Sequence, residues 1–107
     1  SFKGAPVVDT VAPTTALTVA SVYGGTAGTT TITIAPNYPD AGCRYVYTYG
    51  DTVADAAIGD VIVDWNDLTS GFTYEIPNGK KITVAMVNGA TFKVVGLGDA
   101  TVVSSGT

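Results

Sequence analysis

The sequence predicts one small all-β domain folded as a sandwich. Three observations lead there. Thirteen glycines and five prolines break the 107 residues into short pieces. Between the breaks Val, Ile, Thr and Tyr dominate, the β-branched and aromatic residues that suit a pleated surface. Helix signals are almost missing, and short strands at regular spacing with turn residues between them point to a sandwich or barrel. A chain of this length suits a single domain and buries roughly 60–70% of its unfolded surface, enough for one core but not two.

The elements follow in order. Residues 1–15 read as an extended N-terminal arm, because Pro6 and Pro13 push their predecessors to extended geometry. The arm nevertheless carries Phe2, Val7, Val8 and Val11, which a purely solvated linker would not need. The sandwich domain occupies 16–107. Its first strand is placed at 17–22, and the glycine-rich loop 24–28 turns the chain into a second strand at 29–35. There Ile32 and Ile34 share one face. A loop rich in Pro and Asn leads to a strand at 43–49, which sets Cys43, Tyr45, Tyr47 and Tyr49 against Arg44, Val46 and Thr48. The stretch 50–71 is irregular and acidic, with a short strand at 60–63. A strand at 72–76, a turn at Asn78-Gly79 and a strand at 81–87 come next. Asn88-Gly89 is the clearest hairpin signal, since both residues tolerate positive φ. Strands at 91–95 and 100–103, separated by Gly96 and Gly98, end the chain. About seven strands result, the range of an immunoglobulin-like sandwich. Alternation places Ile32, Ile34, Tyr47, Ile82, Val84 and Val94 inward, and the row Tyr45, Tyr47 and Tyr49 reads as core packing or, alternatively, a binding platform.

Several function classes lose their chemistry at this stage. The net charge is −4, and the basic residues Lys3, Arg44, Lys80, Lys81 and Lys93 are scattered. Nucleic-acid binding needs a concentrated basic surface, and an acidic chain is weakly disfavoured on anionic membranes. No apolar run approaches the roughly 20 residues of a membrane helix, and the N-terminus lacks a signal-peptide layout. A start at Ser1 fits either removal of an initiator Met or cleavage from a precursor. Histidine is absent, so Ser-His-Asp and Cys-His arrangements have no base. The lone Cys43 makes no internal disulfide and falls short of a zinc site; a buried structural thiol is the plain reading. The Rossmann and P-loop glycine patterns are missing, and no helix follows the loop 24–28 to receive a phosphate. A carboxylate pair Asp64 and Glu75 is formally available for glycoside hydrolysis, but so short a chain leaves little room for a sugar cleft. Asp51, Asp55, Asp60, Asp64 and Asp67 do not follow the EF-hand spacing and read as solvated loop acids. No catalysis and no cofactor are therefore expected. Trp65 and Tyr38 stand among polar loop residues, where aromatics either anchor a partner or, for Trp65, cap the core.

Five segments together resemble a known family. They are Arg44-Tyr45-Val46-Tyr47-Thr48-Tyr49, the acidic stretch ending Asp64-Trp65-Asn66, a strand ending in Ile76, Gly79-Lys80-Lys81-Ile82-Thr83-Val84, and the closing Gly98-Asp99-Ala100-Thr101-Val102. The pattern is similar to the fibronectin type III/immunoglobulin-like domains of tailed-bacteriophage head proteins, which occur as separate decoration proteins or fused to the major capsid protein. The chain departs from it at Asn88, where an acidic residue is usual, and in the arm 1–15. The resemblance implies a virion decoration protein on the capsid surface, partnered by the major capsid protein and stabilising the assembled state by mass action. Phe2, Val7 and Val8, with loop residues at one end of the sandwich, are then the candidate contacts. The alternative is a carbohydrate- or cell-surface-binding module of a phage or bacterial surface protein, touching a host-surface glycan through Trp65 and Tyr38. A passive spacer is the third reading.

Overall fold

The computed structural model describes residues 16–106. Seven strands form: β1 (Thr18–Tyr23), β2 (Thr29–Ala35), β3 (Cys43–Gly50), β4 (Asn66–Leu68), β5 (Phe72–Glu75), β6 (Lys81–Asn88) and β7 (Val94–Thr101). They make two antiparallel sheets, β1-β2-β5 and β4-β3-β6-β7, packed face to face as the predicted immunoglobulin-like β-sandwich. The loop 24–28 closes the β1–β2 hairpin, in register from Thr18 opposite Ala35 to Tyr23 opposite Thr30. The connections 36–42, 69–71 and 76–80 carry the chain between sheets. Gly79 supplies the positive φ of +87° that the last of these turns requires.

The structure differs from the strand assignment in three places. The expected strand at 60–63 makes only one bridge, Val61 to Lys93. The strand of that region is instead the short β4, whose residues Asn-Asp-Leu carry little β-propensity and pair because β3 offers an edge. The expected strands 91–95 and 100–103 are one strand, β7, with Gly96 and Gly98 inside the ladder and the irregularity absorbed by a register shift at Met86/Val87. Gly98 is required by proximity: a Cβ there would strike the backbone carbonyl of Leu17. The Asn88-Gly89 signal does mark a hairpin, with a longer loop than two residues. The Asn88 Oδ1 accepts the N–H groups of Ala90 and Thr91 at 2.8 and 3.0 Å, and Phe92 takes a φ of 61°.

Two apolar clusters form rather than one. Between the sheets, Ile32 and Ile34 meet Tyr45, Ile82, Val84 and Met86, with Leu17, Leu68, Ile76 and Val102 around them. On the outer face of the four-stranded sheet, Val46, Ala85, Val87 and Val94 lie beneath Ile62, Ala56 and Trp65 of the 51–65 segment. The expectation of a single core is thus corrected. The reason is β6, whose residues 82–87 are all buried; a central strand apolar on both faces needs cover on both. Ile32, Ile34, Ile82 and Val84 point inward as expected. Val94 is buried, but under the 51–65 strap and not between the sheets. Tyr47 is only half-buried, and Tyr49 is 43% exposed, so the tyrosine row is core at Tyr45 and progressively rim beyond it.

Candidate functional site

The two lateral sides of the sandwich are unlike. On the β1/β7 side the sheets are tied together. Leu17 donates its N–H to the Leu97 carbonyl at 2.9 Å, and Val103 N–H reaches the Ser21 Oγ at 2.9 Å. The strap also caps β7: Val94 N–H donates to the Asp60 carbonyl, and Gly59 N–H to the Val94 carbonyl, both at 2.8 Å. On the opposite side β4 is only three residues long and leaves the last part of β3, from Thr48 onward, without a neighbour on that edge.

That short β4 opens a groove of about 560 Å³, lined by Ala27, Gly28, Tyr49, Glu75, Ile76 and Pro77. Tyr47, two residues before Tyr49 on β3, meets Tyr74 of β5 edge to face, with ring centroids 5.3 Å apart and planes at 61°. Burial pushes the Tyr47 phenol above its ordinary pKa, with the Tyr74 and Tyr49 phenols adding to the effect. Beside Tyr49, Lys80 Nζ donates to the Asp51 carboxylate at 2.5 Å. This bond, and the opposite charge behind it, hold Asp51 below the usual carboxylate range and Lys80 above the usual amine. Both are solvent-facing, so the pair adds little to stability. Glu75 has no cationic partner among the described residues.

A second recess, of about 220 Å³, lies where the 36–42 connection passes the end of β4. Tyr38 stands over it, 80% exposed, with Arg44, Leu68 and Ser70 among its walls. Its floor is fixed by Tyr45, whose hydroxyl donates to the Pro36 carbonyl at 2.5 Å. Burial, then the Asp40 carboxylate, push the Tyr45 phenol up, and the same two causes raise the thiol of Cys43, which is half-buried rather than fully buried as expected. The Arg44 guanidinium lies over the Phe92 ring at 4.9 Å and 4.0 Å from the Asp67 carboxylate.

Among the sequence candidates, Tyr38 is exposed and free to touch a partner. Trp65 is half-buried against the outer-face cluster, the capping position that the sequence left open. Phe2, Val7 and Val8 lie outside the described residues. The acidic stretch does not converge: Asp60 accepts the Ala57 N–H at 2.9 Å, Asp51 pairs with Lys80, and among the described residues no three His, Cys, Asp or Glu side chains gather as a metal site. Asp64 precedes β4, while Glu75 ends β5 in the other sheet. Sequence reasoning missed the groove and the 61% exposure of Phe72. Alternation puts Phe72 on the same face as Tyr74 and Ile76, and only the edge position of β5 leaves it uncovered. No family model, curated protein or solved structure matches this chain.

Proposed function

We propose that this chain is a non-catalytic virion structural module that binds the assembled capsid. The observation that carries the reading is the placement of the segments that resemble phage head domains. The tyrosine strand is β3, the acidic Trp-bearing stretch is the strap entering β4, the Gly-Lys-x-Ile-x-Val segment starts β6, and the Gly-x-Ala-x-Val segment ends β7. Four of the five fall on one sheet and its cover, which supports reading them as one structural unit. A module of this kind binds the assembled lattice and not free subunits, and stabilises it by mass action.

In this reading the arm 1–15 supplies attachment and the sandwich folds without it. Deletion of residues 1–11 is the test. The melting curve should stay within about a degree or two of the full chain, while co-sedimentation with assembled capsids is lost. Retained co-sedimentation removes the attachment role from the arm.

A further inference from the structure

Among the described residues, β5 is the sheet edge left most open. β7 is capped by the strap and by Leu17, β1 is flanked by the 102–106 tail through Val103 and Ser21, and β4 is three residues long. Among the described residues β5 pairs only with β2. Ile76 N–H faces β2, donating to the Gly28 carbonyl at 3.2 Å. In an antiparallel ladder the backbone groups alternate in direction, so those of Tyr74 also face β2, and those of Thr73 and Glu75 point away from it. Natural edges are usually blunted by shortness, charged side chains, prolines or bulges. Phe72-Thr73-Tyr74-Glu75 is short and ends in one charge, Glu75, but it carries no lysine or proline, and its Phe72 ring is 61% exposed.

We infer that β5 pairs with β5 of a second copy about a two-fold axis through Tyr74. In this register Thr73 exchanges backbone hydrogen bonds with Glu75 of the second copy, and Glu75 with Thr73 of the second copy. Pro77, having no N–H, ends the pairing. Phe72 stands opposite Ile76 of the second copy, at the non-hydrogen-bonded spacing where side chains approach most closely. Ile76 lines the groove that also holds Tyr49 and Glu75. The exposed ring of each copy therefore enters the open groove of the other, a knob and a hole on the same surface, as a self-complementary two-fold contact requires. The two Glu75 carboxylates lie diagonal to the axis, each opposite a threonine and not opposite one another. The occupant is a second copy and not an unrelated strand, because only the two-fold register brings the unburied Phe72 to the unfilled groove on both sides at once. The inference is independent of capsid attachment.

Two short strands and two rings bury less than the roughly 1,200 Å² of a standard stable interface, so the dimer is weak and concentration-dependent. Sedimentation velocity on the full chain, from about 10 μM to about 1 mM, should show a monomer passing into a dimer over the range open to so small a contact. Thr73→Pro removes an outward-facing N–H and leaves the β2 ladder intact. Phe72→Ser removes the ring, which is mostly exposed in the monomer and so contributes little to folding. Each should raise the dimer dissociation constant by at least about tenfold without moving the melting temperature of the dilute monomer. Should Thr73→Pro fail to fold, Phe72→Ser decides alone. A chain that stays monomeric throughout overturns the inference. So does a dimer that Phe72→Ser leaves unchanged, or one abolished by deleting residues 1–15, which would assign the contact to the arm.

Discussion

Tyr45, Tyr47 and Tyr49 show how much position on one strand changes what a side chain does. All three lie on the same face of β3, two residues apart. Tyr45 is 2% exposed among Ile34, Leu68 and Met86 of the core, and its hydroxyl is satisfied by Pro36. Tyr47 packs edge to face on Tyr74, and Tyr49 leans into solvent. Chemical denaturation should therefore separate them. Tyr45→Ala is expected to cost about 3–5 kcal/mol, the range for deleting a buried aromatic ring, and Tyr47→Ala clearly less. Tyr45→Phe keeps the ring and leaves the Pro36 carbonyl short of a donor, at about 1 kcal/mol. Equal losses for Tyr45→Ala and Tyr47→Ala would contradict this division.

At the scale of elements, the controlling feature is that β6 is apolar on both faces. Ile82, Val84 and Met86 face the other sheet, while Thr83, Ala85 and Val87 face outward. The outward set would be exposed in a bare sandwich, and the 51–65 strap covers it through Ile62 and Trp65. The strap is tied by Ala54 N–H to the Thr83 hydroxyl at 2.9 Å and by Ile62 N–H to the Phe92 carbonyl at 2.9 Å. Ile62→Ala should cost about 2 kcal/mol, the lower end for a buried Ile, because the strap relaxes more easily than the inter-sheet core. Amide exchange should localise the effect, with strap and β7 amides exchanging faster and β2 amides unchanged. Uniform acceleration across β2 and the strap would mean that the two clusters form one cooperative unit.

For the whole molecule, the decisive asymmetry is one closed side and one open side. The closed side depends on Leu17 crossing onto β7, where Gly98 leaves room for its carbonyl. Gly98→Ala should therefore cost about 1–3 kcal/mol as an overpacked contact, and release Leu17 so that its amide exchanges faster. An unchanged melting curve and an unchanged Leu17 amide would show that the crossing is not needed to join the sheets. The open side, with Phe72, Tyr49 and the free β5 edge, is where a second copy meets the domain, while the arm joins the described domain at Ala16, beside Leu97 on the closed side.

By itself the sequence determined the fold class, the β1–β2 hairpin, β3, the start of β6 and the inward set Ile32, Ile34, Ile82 and Val84. These follow from period-two patterning and turn chemistry, which act over a few residues and are written into the local order of side chains. Tertiary structure alone decided the rest. Asn-Asp-Leu becomes β4 because β3 presents an unpaired edge, and Gly98 stays inside β7 because Leu17 needs its space. Val94 is covered by a strap some thirty residues upstream, and Cys43 is left half-buried. The groove and the exposed Phe72 were invisible for the same reason. A residue's alternating face is set by its own strand, but whether that face is covered depends on how far the neighbouring strand extends, and β4 stops three residues after it begins.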